Sequence, residues 1–119
     1  IIVGEGGTAS VVGKAVPVPY NKPEVAAAHA LAGQYLGMRF MYLEAGSGAK
    51  KPVPPEMIRV VKHYIDVPLV VGGGIRSREQ ALAAASAGAN VIVTGNIVER
   101  EEVRERVSEI IRGIRGFRS

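Results

Sequence analysis

The residues from Tyr42 to Gly48, Tyr-Leu-Glu-Ala-Gly-Ser-Gly, combine a phenol, a carboxylate, a hydroxyl and bare backbone at the end of an apolar run. Side chains alternate along a strand, so Tyr42 and Glu44 should point to the same side. A carboxylate is costly to bury without a partner. We therefore interpret Glu44 as an acceptor of hydrogen bonds from substrate hydroxyls, with Ser47 and nearby N–H groups binding phosphate. A structural Glu44, paired with Lys50 or Arg76, is the alternative.

Two glycine clusters follow later apolar runs and have the composition of anion sites. The first is Gly72-Gly73-Gly74, and the second is Gly95 followed by Asn96 at the start of a helix-like turn. Glycine has no Cβ, so its N–H group can approach a phosphate oxygen closely, and a helix start offers unpaired donors. The other interpretation is that these glycines only permit tight turns.

Four βα units must position these residues. Each unit begins with an apolar run that ends in small or polar residues, and the predicted strands are 1–3, 38–44, 68–71 and 90–93. Helices are predicted at 23–36 and 55–64, with a hairpin or extended excursion at 11–14. Ser77 and Gln80 have capping-box spacing for a third helix that stops at Gly88. A final helix has an apolar face formed by Val103, Val107, Ile110, Ile111 and Ile114.

The strands are apolar throughout, which is typical of a parallel sheet covered on both faces. Such an α/β chain is either half of a (β/α)8 TIM barrel or a small doubly wound sheet. Polar and glycine residues follow every strand, and no G-x-G-x-x-G opens a helix. We therefore expect the C-terminal half of a barrel, with strands five to eight in one domain spanning residues 1–119.

Composition excludes several function classes. The chain of 119 residues has a net charge of +4 but no cysteine and two histidines, which argues against disulfides and zinc. Aromatic content is 5%, so a solvated helix explains the C-terminal basic residues better than a nucleic-acid surface. We expect no transmembrane segment and no signal peptide, and hence a cytoplasmic protein. The C-terminal basic residues of this predicted helix are Arg100, Arg104, Arg106, Arg112, Arg115 and Arg118.

Three motifs together resemble one family. Residues 42–49 (Tyr-Leu-Glu-Ala-Gly-Ser-Gly-Ala), 68–76 (Pro-Leu-Val-Val-Gly-Gly-Gly-Ile-Arg) and 92–96 (Ile-Val-Thr-Gly-Asn) resemble the last three strand-and-loop motifs of the geranylgeranylglyceryl/heptaprenylglyceryl phosphate synthases. Residues 4–8 and 12–15 are similar to the fifth-strand region of that family. The resemblance therefore covers essentially the whole chain.

The resemblance implies a prenyltransferase of archaeal ether-lipid biosynthesis. The free hydroxyl of sn-glycerol 1-phosphate would attack C1 of a prenyl diphosphate, with Glu44 and Tyr42 as catalytic residues and Mg²⁺ neutralising the departing diphosphate. The residues implied to bind glycerol 1-phosphate are Tyr42, Leu43, Glu44, Ala45, Gly46, Ser47, Gly48, Gly73, Gly74, Gly95 and Asn96.

Complete members of that family also have an N-terminal half, which carries a magnesium-binding aspartate. No strand here shows an equivalent, so we expect this chain to be an incomplete barrel that is inactive alone. Its sheet should have unpaired edges at residues 1–3 and 91–93, which pair with the N-terminal half or with a second copy in a homo-oligomer. Two alternatives remain open. One is another phosphate-binding barrel isomerase or synthase, expected to have Asp or Lys in place of Glu-Ala-Gly-Ser-Gly, and the other is a non-catalytic, self-associating half-barrel.

Overall fold

The computed structural model describes residues 1–95 and 103–118. Helices and strands alternate through most of this part of the chain. In chain order they are α1 (Gly7–Gly13), α2 (Pro23–Tyr35), β1 (Met41–Glu44), α3 (Pro55–Tyr64), β2 (Leu69–Gly72), α4 (Arg78–Ser86), β3 (Val91–Val93) and α5 (Val103–Arg118). The predicted α/β class is confirmed.

The three strands form a parallel sheet in the order β1-β2-β3. Residues 1–3 lie beside β1, where the Val3 N–H donates to the Glu44 carbonyl at 2.9 Å and the Glu44 N–H donates to the Ile1 carbonyl at 2.9 Å. This segment forms isolated parallel bridges instead of the regular strand predicted for it. The bridges nevertheless place it next to β1, as expected for a preceding βα unit.

The predicted unpaired edge at residues 1–3 is wrong, because Val18 occupies it. The Val18 N–H donates to the Ile2 carbonyl at 2.9 Å, and the Gly4 N–H donates to the Val18 carbonyl at 2.8 Å. These bonds satisfy backbone groups that a bare edge would leave to solvent. At the opposite side of the sheet, β3 pairs with β2 alone within the described residues.

The extended excursion predicted at residues 11–14 is also wrong. The helix α1 occupies this segment, with Gly6 at φ 73° before it and Lys14 at φ 49° after it. The pair Val11 and Val12 suggested a strand because β-branched residues favour extended backbone. Both side chains are exposed, at 78% and 77%, so no packing against a sheet holds them extended.

The helices cover one face of the sheet and leave the other face partly open. Leu43, Leu69 and Val71 are completely buried on the covered face. On the opposite face Tyr42 is half-buried, whereas Val91 and Val93 of β3 are 49% and 41% exposed. The expectation that both faces are covered is therefore wrong for the described residues.

The last two helices pack against each other and follow the sequence pattern closely. Ser77 and Gln80 form the predicted capping box at the start of α4. On α5, Ile110 is buried and Val107 and Ile114 are partly buried against the core. Ile111, which was predicted to share this face, is 42% exposed, so that part of the prediction is wrong. No helix in the described ranges is long and apolar enough to cross a membrane.

Candidate active site

A cleft of about 110 Å³ opens at the edge of the sheet where the three strands end. Its lining comes from β1, from the last residue of β3 and from the loops that follow the three strands. Seven of the predicted site residues line it: Tyr42, Glu44, Ser47, Gly48, Gly73, Gly74 and Gly95. The structure therefore brings three separate sequence motifs together.

The strand register explains this convergence. Glu44 lies opposite Gly72, and Gly72 lies opposite Val93, so the three strands end at the same level. Carboxyl ends of parallel strands share one edge, and loops leaving that edge converge. Side-chain alternation places Tyr42 and Glu44 in the cleft, as predicted, and buries Leu43 in the core.

The carboxylate of Glu44 is held by its own loop. Its Oε1 atom accepts a hydrogen bond of 2.7 Å from the Gly46 N–H. The structure shows no ion pair from Glu44 to Lys50 or to Arg76. The alternative in which Glu44 pairs with Lys50 or Arg76 is therefore wrong, and the carboxylate lines the cleft, where it also hydrogen-bonds with Tyr42.

The phenol of Tyr42 lies over Gly72. A Cβ atom at residue 72 would collide with the Tyr42 Oη atom, so glycine makes room for the ring. Burial raises the pKa of Tyr42 above its ordinary value, and the hydrogen-bonding, negatively charged Glu44 raises it further. The phenol therefore stays protonated around neutral pH and can donate a hydrogen bond in the cleft.

The glycines after β2 are required by close packing. Gly73 has φ 86°, and a Cβ on it would lie 2.7 Å from the Gly46 nitrogen and 2.9 Å from Glu44 Oε1. Gly74 has φ 73°, and its Cβ would lie 2.9 Å from the Pro52 nitrogen. Packing and turn geometry thus explain why these residues are glycine, and their role in anion binding remains a prediction.

Other predicted site residues lie elsewhere. Leu43 and Ala45 are completely buried and do not line the cleft, so their side chains serve the core. Gly46 supports the cleft from behind, by donating to Glu44 and by packing on Gly7. Asn96 lies outside the described residues.

A family model described as the PcrB family matches residues 1–114 of the chain. The chain belongs to the PcrB family. Among characterised relatives, the geranylgeranylglyceryl phosphate synthase of Thermococcus kodakarensis is 59% identical over 98% of this chain and 48% of its own length. The enzyme of the same name from Saccharolobus islandicus is 56% identical over 97% of this chain and 44% of its own length.

Solved structures share the fold of this PcrB-family chain. The (S)-3-O-geranylgeranylglyceryl phosphate synthase of Thermoplasma acidophilum, crystallised with its substrate sn-glycerol-1-phosphate, superimposes with a TM-score of 0.92 at 45% identity, covering 95% of this chain and 46% of that one. The wild-type GGGPS of Thermoplasma volcanium gives a TM-score of 0.90 at 44% identity, with the same coverages. The chain spans about half the length of these relatives.

The PcrB-family cleft contains four lining residues that we did not predict as site residues: Ile75, Arg76, Val93 and Thr94. Arg76 donates from Nη2 to the Ala49 carbonyl at 2.8 Å, and Thr94 donates from Oγ1 to the Ile75 carbonyl at 3.2 Å. The positions of two of these residues could have indicated that they line the site, because Thr94 directly follows β3 and Arg76 lies in the loop after β2. Residues at these positions in parallel α/β sheets commonly line sites.

The described part of this PcrB-family chain does not form a site for the expected magnesium ion. No group of three or more His, Asp or Glu residues comes together there. Glu44 is the one carboxylate among the described residues that line the cleft, and its Oε1 is already bonded to Gly46. Magnesium in proteins is usually bound through carboxylates and substrate phosphates. The described donors do not fit the ion, and we derive no step through it.

Proposed function

We propose that this PcrB-family chain provides the glycerol-phosphate side of a prenyltransferase that joins sn-glycerol 1-phosphate to geranylgeranyl or a related prenyl diphosphate. The observation that carries the proposal is the convergence of Glu44, Tyr42 and the glycine loops in one cleft at the strand ends. Support comes from the Thermoplasma acidophilum relative, which was crystallised with sn-glycerol-1-phosphate.

In this proposal the phosphate lies against main-chain N–H groups of Gly73, Gly74, Gly95 and Asn96, with Ser47 on the facing loop. Hydrogen bonds from N–H groups to an anion are worth roughly 1.5–3 kcal/mol each. Four of these residues, Ser47, Gly73, Gly74 and Gly95, line the same cleft as Glu44. With the phosphate bound at these residues, the glycerol hydroxyls would lie on the side of the cleft that Glu44 lines.

The reaction then follows from the two polar side chains. The free hydroxyl of glycerol 1-phosphate attacks C1 of the prenyl diphosphate, the new C–O bond forms, and diphosphate leaves with the electron pair of the broken bond. Glu44 accepts the hydroxyl proton, because an ionised carboxylate has more lone pairs than its hydrogen bonds with Gly46 and Tyr42 occupy. The ring of Tyr42 faces the positive charge that develops on the allylic carbon.

The remainder of the enzyme is part of the same proposal. We infer that the chain is the C-terminal half of a (β/α)8 barrel and that an N-terminal half provides the prenyl channel and the Mg²⁺ ligands. The exposed Val91 and Val93 support this inference, because interior-facing residues of a closed barrel are packed. Cytoplasmic location and a homo-oligomeric state remain proposals of the same kind.

Backbone amide shifts in the 119-residue chain test the binding site directly. Addition of sn-glycerol 1-phosphate should shift the N–H signals of Ser47, Gly73, Gly74 and Gly95, whereas glycerol at the same concentration should leave them in place. Shifts confined to the arginines of α5 would overturn the proposed site. Such a result would instead indicate nonspecific attraction of an anion to a basic surface.

A further inference from the structure

Arg76 is anchored through its backbone to the start of α4. Its N–H donates to Gln80 Oε1 at 2.7 Å, and the N–H of Ser77 donates to the same oxygen at 3.2 Å. The Ser77 side chain accepts in return from the Gln80 N–H. This capping box fixes where the Arg76 side chain begins, next to the cleft it lines.

The guanidinium of Arg76 spans the space between two loops. Its Nη2 atom donates to the carbonyl of Ala49, 27 residues earlier, at 2.8 Å. Ala49 belongs to the segment from Ala45 to Pro52, named here the 45–52 loop, which carries Ser47 and Gly48 into the cleft. Arg76 thereby connects the loop after β2 to the loop after β1.

The 45–52 loop needs such a connection because it has little regular structure of its own. Gly46 and Gly48 have φ of 103° and 74°, and glycine loses more conformational freedom on ordering than any other residue. A second tie lies outside the cleft lining, where Tyr20 donates from Oη to the Lys51 carbonyl at 2.8 Å. The loop is therefore held at two of its carbonyls, Ala49 and Lys51.

We propose that Arg76 is a positioning residue that holds the 45–52 loop across the cleft, so that Ser47 and Gly48 face Gly73 and Gly74 at the spacing that one phosphate group requires. This proposal rests on the proposed function, since it concerns the same site. Arg76 is also the one cationic side chain among the described residues that line the cleft. Its proposed effect on the site acts through the loop, by way of the bond to Ala49.

The test compares Arg76→Gln with the unchanged 119-residue chain. Glutamine is too short to reach the Ala49 carbonyl, so amide hydrogen exchange at residues 46–51 should rise. The dissociation constant for sn-glycerol 1-phosphate should rise about tenfold, as expected for the loss of one charged hydrogen bond. Arg76→Lys keeps a cationic donor and should recover part of both effects. Arg59→Gln, an exposed arginine on α3, is the matched control.

Tyr20→Phe gives an independent check without a change of charge. It removes the other tie of the 45–52 loop, outside the cleft lining, and should raise exchange and weaken binding in the same direction. Weaker binding by Arg76→Gln with unchanged exchange at 46–51 would overturn the proposal, because charge alone would then explain the loss. Affinity within twofold of the unchanged chain would overturn it too. Absence of glycerol-phosphate binding by the unchanged chain would contradict the proposed function, while the exchange comparison would still decide the role of Arg76.

Discussion

Gly73 and Gly46 belong to loops after different strands, yet a methyl group on Gly73 would lie only 2.7 Å from the Gly46 nitrogen. The same methyl group would lie 2.9 Å from Glu44 Oε1, the atom that holds Gly46. The two loops are therefore in contact through bare backbone. A side chain at Gly73 must displace either the loop or the carboxylate.

Gly73→Ala should destabilise the chain by more than its backbone conformation alone explains. Gly37 has φ 89° with nothing near its Cβ position, so Gly37→Ala isolates the cost of a left-handed residue, about 1–2 kcal/mol. Gly13, at the end of α1, has neither restriction, and Gly13→Ala should be neutral or slightly stabilising. Urea denaturation of the three variants should rank Gly73→Ala as the most destabilised. Equal losses for Gly73→Ala and Gly37→Ala would show that the loops separate easily.

Glu44→Gln should reduce turnover by about 10²–10⁴-fold, the usual contribution of a general base. Activity is best measured in a chimera in which this chain replaces the matching segment of the Thermococcus kodakarensis relative. An amide oxygen can still accept from the Gly46 N–H, so the loop and the affinity for glycerol 1-phosphate should be preserved. Glu44→Ala, which loses that bond too, should weaken binding as well.

Glu56→Gln on α3, an exposed glutamate outside the cleft, is the control for Glu44→Gln in the chimera. It should leave both turnover and binding unchanged. A decrease of less than about threefold in the turnover of Glu44→Gln would make Glu44 a structural residue.

The raised pKa of Tyr42 predicts how stability depends on pH. The unfolded chain ionises this phenol near its ordinary pKa of 10.0, while burial and Glu44 keep it protonated in the fold. The stabilising difference is therefore complete below about pH 10 and is lost as the pH rises further. Tyr42→Phe should make the decline in the free energy of unfolding between about pH 9 and 11 less steep. Some decline should persist, because burial also raises the pKa of Tyr20. An identical slope in Tyr42→Phe would contradict the prediction.

Element types were largely predictable because apolar periodicity and capping residues are local signals. The helix at Pro55–Tyr64 and the capping box of Ser77 and Gln80 occur where the sequence placed them. The helix at Val11 to Gly13 was not predicted, because a pair of β-branched residues indicates a strand. The sequence does not show that the side chains of this pair are exposed. Likewise, nothing local indicated that Val18 would cover the edge of residues 1–3.

The lining of the cleft could be predicted where its residues belong to motifs at the ends of the strands. Tyr42, Glu44 and the glycines of the second loop line one cleft because each ends or follows a parallel strand. The bond from Arg76 to Ala49 spans 27 residues, and no spacing rule connects a loop arginine with one particular carbonyl. Leu43 and Ala45 were included because the motif is contiguous, although side-chain alternation already assigned Leu43 to the core.

Prenyl transfer should be undetectable with the 119-residue chain alone and should appear in the chimera with the Thermococcus kodakarensis relative. The chain spans about half of that protein, and no three His, Asp or Glu residues come together among its described residues. Product formation from labelled prenyl diphosphate and sn-glycerol 1-phosphate, with added Mg²⁺, measures the difference. Robust magnesium-dependent turnover by the isolated chain, eluting as a monomer from a calibrated column, would refute the proposed half-barrel.

Four of the described residues that line the cleft, Gly48, Gly73, Gly74 and Gly95, present only main chain. Alanine scanning therefore cannot delete the groups proposed to bind the anion, since every substituted residue except proline retains its peptide N–H. A scan would report only the steric cost of an added methyl group. That cost is large at Gly73, whereas at Gly95 no atom of the described residues lies within 4 Å of the Cβ position. Replacing single peptide bonds by esters removes the donor and keeps the shape. At this site, semisynthesis of such esters would measure how much each backbone N–H contributes to anion binding, which amino-acid substitution does not measure.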